Sequence, residues 1–124
     1  MPNKARNPND KRKYDLQQRT ARFGGAIVEP ARTFPQDPIN NPLISQIVRA
    51  ATDIGADYMG ADGAESKKDF QHKISIRKKE SKEIKRWLRM IAQANPNRRG
   101  DCQRLLAEAQ ELSLIFSSIL LPKR

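Results

Sequence analysis

The chain is poor in the residues that most active sites require. It contains one cysteine, Cys102, and one histidine, His72, in 124 residues. A single cysteine rules out an intrachain disulfide and fits a reducing compartment. The two residues lie far apart, and no His/Cys spacing resembles a zinc site. Aromatic residues make up 6% of the chain, with Trp87 the lone tryptophan. No apolar run approaches the roughly 18 to 20 residues needed to cross a bilayer as a helix, so no membrane partner is expected. The first stretch, MPNKARNPNDKRKY, carries charge without an apolar segment behind it, which argues against a secretory signal and makes the cytoplasm the expected location.

Other catalytic devices are missing as well. The glycines of "FGGA" and "GADGAES" lack the strand–loop–helix context and spacing of a phosphate cradle; they read as close packing and a helix junction. Asp53, Asp57, Glu80 and Glu83 are the acids to weigh for a di-metal centre, but such centres in helical bundles use Glu-x-x-His pairs, and none occurs. Glu80 falls on the apolar side of its helix, where a buried pairing with Arg49 is the preferred structural explanation. A helix N-terminus can lower the pKa of a thiol such as Cys102, yet a lone inert thiol is the commoner case, and His72 reads as a surface or partly buried side chain. No catalytic residue, cofactor or metal is expected, and an enzyme is the disfavoured reading.

Positive charge, by contrast, is abundant. Lysine and arginine number 24 against 14 aspartate and glutamate, for a net charge of +10 and a pI near 10.2. Such an excess speaks to solubility and partners, and says little about fold. The length suits one domain with one core.

Along the chain, residues 1–13 combine Pro2, Pro8 and five basic residues with no apolar period, the signature of a mobile basic tail. From Tyr14, the residues Leu16, Thr20, Phe23, Ile27 and Ala31 recur at helical steps; Gly24 and Gly25 weaken this helix, and Pro30 should bend it or end it early. "FPQDPINNP" is a connection, after which Asn41 and Pro42 supply a cap and first position for a second helix bearing Ile44, Ile47, Val48, Ala51, Ile54 and Tyr58 on one side. Two capping boxes then compete to start a third helix, Asp62 with Glu65 and Ser66 with Asp69. That helix runs to about Ala94 and stops at "NPNRRG". Asp101 can cap a fourth, striped with Leu105, Leu106, Ala109, Leu112, Phe116, Ile119 and Leu120, which ends before Pro122. With no strand pattern, the expected fold is all-α: an up-down-up-down antiparallel four-helix bundle over residues 14–121, with the basic tail before it and residues 122–124 as a short C-terminal end.

The third helix raises the functional question. Ten lysines and arginines lie between residues 66 and 90. At about 100° per residue, Lys67, Lys68, Lys78, Lys79, Lys82, Lys85, Arg86 and Arg89 occupy about one third of the circumference, opposite Phe70, Ile74, Ile84, Leu88 and Ile91. Asp69, Glu80 and Glu83 fall outside that sector, so it is not laced with same-face ion pairs. Two readings stand side by side: a solvated face of a basic protein, and a face that binds an anion. The basic tail, Arg98, Arg99, Lys123 and Arg124 tilt toward binding of RNA or DNA, through phosphates and with weak sequence specificity, because aromatics for base stacking do not accompany the charges.

"DPINNPLISQIVRAATDIGADY", followed by "AESKKDFQHKISIRKKESKEIKRWLRM", resembles the bacterial four-helix bundle proteins known as 23S rRNA intervening-sequence proteins, or the S23 ribosomal protein family. The likeness covers about Tyr14 to Leu121. It implies a small non-enzymatic protein that forms ring-like homo-oligomers, a pentamer being the favoured state. In a related bundle that serves as accessory subunit of the reverse transcriptase of diversity-generating retroelements, a basic surface meets nucleic acid and enzyme. Against the family pattern, Asp53 and Asp57 replace small polar residues or Asn, Arg77 replaces a small apolar residue, and Pro30 interrupts the first helix. The function expected is a homo-oligomeric nucleic-acid-binding bundle; the alternative is a structural or protein-interaction oligomer, such as a reverse-transcriptase accessory subunit.

Overall fold

The computed structural model describes residues 8–56 and 66–122, with side chains from Asp15 onward. It is all-α: α1 spans Pro8–Ala31, α2 Asn40–Gly55, α3 Lys67–Ala94 and α4 Arg99–Leu120, with a single 3-10 turn at Pro96–Arg98. No strand occurs among the described residues.

Helix ends show which local signals prevailed. α1 starts at Pro8, well before Tyr14, because proline suits a first helical position. The tail boundary expected at residue 13 therefore moves: residues 8–13 are helical, and residues 1–7 lie outside the described residues. Pro30 removes the bond to the carbonyl of Ala26, an exposed residue, and the helix ends one residue beyond it at Ala31. The chain closes beyond it with Thr33 donating to the Pro30 carbonyl from both its backbone N–H (2.9 Å) and its hydroxyl (2.7 Å).

The start of α2 corrects the Asn41–Pro42 cap. The Asp37 carboxylate accepts from the N–H groups of Ile39 (3.0 Å) and Asn40 (2.7 Å), which makes the earlier Asp37–Pro38 pair the working cap. Both dipeptides carry the same signal; the carboxylate, which interacts more strongly with the helix dipole, is the one used. At α3 the Ser66 box prevails, its hydroxyl accepting from Asp69 N–H at 3.1 Å; Asp62 and Glu65 lie outside the described residues. Asp101 does not cap α4. It lies in the first turn, where it accepts from Arg98 Nε at 2.9 Å and Arg104 Nη2 at 2.5 Å.

Contacts fix the directions. Gly24 meets Ala51 while Gly55 meets Ala21, so α1 and α2 run oppositely. Asn40 pairs with Asn95 and Ala56 with Arg77, which orients α3 against α2; Ser81 with Ser113 and Lys85 with Gln110 orient α4 against α3. Gly24 allows a close α1–α2 approach, since a Cβ there would stand 2.7 Å from the Ala51 carbonyl oxygen. Gly25 faces open space, and the glycines of "GADGAES" lie outside the described residues. The core gathers Phe23 and Ile27 of α1, Ile47 and Ile54 of α2, Ile74, Ile84, Leu88 and Ile91 of α3, and Ala109, Leu112 and Phe116 of α4. Each large side chain so buried stabilises the fold by about 1.5 to 3 kcal/mol.

Candidate nucleic-acid interface

α3 has a buried face and a charged face. The buried positions Ile74, Arg77, Ser81, Ile84, Leu88 and Ile91 follow the three-and-four spacing of a helix packed on two neighbours. Ser81 and Ser113 share a 2.6 Å hydrogen bond inside the α3–α4 contact. Arg77, the departure noted in the sequence, is wholly buried, and its Nη2 donates to the carbonyl of Ala56 at 2.5 Å. That carbonyl closes the C-terminal end of α2, where the helix dipole favours a cation. One cation thus belongs to the scaffold.

The eight predicted residues lie on the other side. Lys67, Lys68, Lys79, Lys82, Arg86 and Arg89 are exposed; Lys78 and Lys85 are half-buried at the edge toward the core. Among the described residues none of the eight forms an ion pair. Lys85 Nζ donates to Gln110 Oε1 of α4 at 2.7 Å. Partial burial, and then the positive charges of Arg89 and Lys82, lower its pKa below the usual lysine value. The second cause is the electrostatic mark of a one-sign stripe: these cations feel each other.

The acids are disposed elsewhere. Glu108 and Glu111 of α4 turn to α1, where Arg19 donates to Glu108 through Nε and Nη2 and to Glu111 through Nη2, each at 2.8 Å. These bonds raise the Arg19 pKa, and the Arg19 fork holds Glu108 below its ordinary value. Asp101 is likewise engaged by Arg98 and Arg104.

Several expectations change. Arg49 is exposed and forms no pair with Glu80; burial first, then the charges of Glu83 and Asp53, push the Glu80 carboxyl up. The spacing placed Glu80 toward the apolar side correctly, but Arg49 points off the α2 face that meets α3. Arg98 is not a free cation at a helix end: it binds Asp101, donates to the Thr33 hydroxyl at 2.8 Å and lies 4.1 Å over the Phe34 ring. Arg99 is exposed, and Lys123 and Arg124 lie outside the described residues. Cys102 is buried and its thiol pKa is pushed up by desolvation, opposite to an activated thiol. His72 is exposed. Among the described residues, no group of three His, Cys, Asp or Glu side chains stands close enough to hold a metal, and no helix is long and apolar enough to cross a membrane.

Residues 12–118 match the 23S rRNA-intervening sequence protein family. The chain belongs to that family. A crystal structure of a protein of unknown function from the S23 ribosomal protein family of Bacteroides thetaiotaomicron VPI-5482 superposes with a TM-score of 0.70 at 24% identity, covering 86% of this chain and 99% of that one. At that identity the likeness concerns the fold. No curated protein matches. Membership thus accounts for the four-helix scaffold, and the charge distribution on α3 carries the argument about function.

Sequence reasoning missed Gln110, whose place beneath Lys85 depends on how α4 rotates against α3, and the Asn40–Asn95 pair, whose amides exchange bonds at 3.1 and 2.8 Å at one end of the bundle. The two asparagines lie in Pro/Asn-rich stretches that read only as loop.

Proposed function

We propose that this protein is a non-enzymatic, homo-oligomeric bundle that binds RNA or DNA through phosphate contacts on the α3 face, in the cytoplasm. The observation that carries this reading is the absence of any ion pair to the eight stripe residues among the described residues, in a chain whose Glu108, Glu111 and Asp101 are drawn to Arg19, Arg98 and Arg104. Solvated faces usually intermix signs. An unneutralised stripe disfavours its own helix by about 0.2 to 0.5 kcal/mol per like-charged pair at i,i+4, a cost that phosphate contacts reverse.

If about five phosphates are contacted, the logarithm of affinity falls with the logarithm of salt at a slope near −4.5 on a duplex. Reversing Lys79, Lys82, Arg86 and Arg89 to Glu removes binding while circular dichroism stays helical, since these side chains are exposed. Equal binding by the reversed protein, or a slope near zero, returns the stripe to mere solvated surface.

A second reading, an oligomer that serves a protein partner such as a reverse transcriptase, draws on the half-buried Ile76 and Trp87 and the 50% exposed Met90, which share a different flank of α3. Retention of the partner after nuclease treatment separates it from the first, and light scattering that reports a monomer across micromolar concentrations removes the oligomer from both.

A further inference from the structure

We infer that the partner of the α3 face is double-stranded, and that the face lies across the phosphate ridges of a duplex without entering a groove. The inference rests on the nucleic-acid reading above and adds the form of the ligand.

Three observations carry it. The first is spacing along α3. The cations of the sector form two groups, Lys67 with Lys68 and a longer run from Lys78 to Arg89, with Lys78 ten residues after Lys68. At 1.5 Å per residue the gap is about 15 Å, comparable to the roughly 12 Å opening of a major groove. Within the gap the same sector presents Gln71 and Ser75, both exposed and uncharged. Two cationic groups at that separation suit two ridges, with neutral polar side chains over the opening; one strand tracked continuously calls for continuous charge.

The second observation is breadth. Lys85 bonds Gln110, so the neighbouring surface of α4 continues the face. Lysine only donates, so Gln110 accepts through Oε1 and keeps its amide N–H groups for an outside acceptor. Gln103 and Ser117 lie on the same side of α4 by helical spacing, whereas Glu108 and Glu111 turn to Arg19. Two helices at the usual axial separation make a face about 20 Å wide, too broad for a groove of roughly 12 Å.

The third is the lack of stacking partners. Single-strand binders combine a cationic channel with aromatic platforms worth about 1 to 3 kcal/mol per base. Among the described residues this face has no such platform: Phe23, Phe34 and Phe116 are buried, Phe70 is partly buried against the core, and Trp87 sits on the flank with Glu80 and Glu83. A duplex, whose bases are already stacked and whose phosphates are displayed on two ridges, asks only for what is present.

Fluorescence anisotropy with the full chain tests this, using a blunt duplex in RNA and DNA forms, oligouridine and oligothymidine of matched phosphate number, and poly-glutamate of matched charge, all at one salt concentration. Either duplex is expected to bind roughly tenfold tighter than the single strands. The double variants Lys67→Gln/Lys68→Gln and Lys82→Gln/Arg86→Gln are each expected to flatten the duplex salt slope by about 1.8. Single strands or poly-glutamate bound as tightly as duplex overturn the inference, the former leaving the nucleic-acid reading in place. A slope unchanged by the Lys67/Lys68 variant overturns the two-ridge geometry. No binding to any nucleic-acid probe overturns the underlying reading, and the inference with it.

Discussion

On the flank of α4 that meets α1, Glu108 and Glu111 hold Arg19 in a fork of 2.8 Å bonds; on the flank that meets α3, the residue bonded to Lys85 is the neutral Gln110. One helix therefore closes one seam with opposite charges and leaves the other seam bordered by cations alone. The net charge of +10 is not spread evenly over the protein. Charge at the α1–α4 seam is used internally, and charge at the α3–α4 edge remains available to a partner.

The scaffold beneath both flanks is where the largest effect is expected. Leu112 is fully buried and Leu88 is 2% exposed, so Leu112→Asp or Leu88→Asp places an unpaired charge in the core and abolishes the cooperative thermal transition followed by circular dichroism. Lys82→Glu, on the open flank, should melt within about 0.5 kcal/mol of the parent, because it removes like-charge contacts and no packing. Similar losses from the core and surface variants would erase the distinction between scaffold and face.

Arg77 sharpens the comparison from the inside. Truncation by Arg77→Ala removes the donor to the Ala56 carbonyl and most of a buried side chain, for an expected loss of about 2 to 4 kcal/mol in urea unfolding. Arg77→Met keeps much of the volume and should lose less. Identical losses would mean that the hydrogen bond dominates over packing. In either variant nucleic-acid affinity should persist wherever the protein remains folded, since this cation faces the core.

The legibility of these features in the sequence divides along physical lines. Helix existence, the apolar stripes of α3 and α4 and the basic sector were readable because the periodicity of 3.6 acts within one helix. Pairings between helices were not. Helical spacing suggests Arg49 as the partner of Glu80, yet Arg49 is exposed, and in the sequence Arg77 is only an unusual residue, because its partner depends on where α2 ends against α3. Caps were half-readable: the sequence offers Ser66 as one option, but Asp37–Pro38 and Asn41–Pro42 carry the same local signal, and the choice of the carboxylate shows only in the bonds that Asp37 accepts.

At the closed flank the effect should be modest. Arg19 and Glu108 are about one third exposed (35% and 32%), so solvent screens the fork and Arg19→Ala is expected to cost about 0.5 to 1 kcal/mol. The two glutamates then lose their counter-charge on the side of α4 away from α3, and the salt slope of nucleic-acid binding should stay as it was. A changed slope would show that the flanks communicate electrostatically and are not independent.

The smallest expected effect concerns Glu80, an acid on α3 outside the stripe. Burial and the neighbouring charges of Glu83 and Asp53 raise its carboxyl pKa above the ordinary 4.5. A group whose folded-state pKa is raised contributes stability fully below its unfolded value and loses it as pH climbs through the folded value. Ionised Glu80 is therefore a slight burden at neutral pH, and Glu80→Gln should raise the melting temperature at pH 7 while leaving it nearly unchanged at pH 4, where the carboxyl is largely protonated in both states. Glu108 has the opposite sign: Arg19 holds its pKa low, so its contribution is present above the unfolded value and fades as pH falls. The melting temperature of Glu108→Gln should accordingly drop relative to the parent at pH 7, with the gap narrowing on acidification. Paired melts of the two variants across this range compare a half-buried acid without a counter-ion and an acid with one, and parallel curves for the two would break the contrast between the flanks.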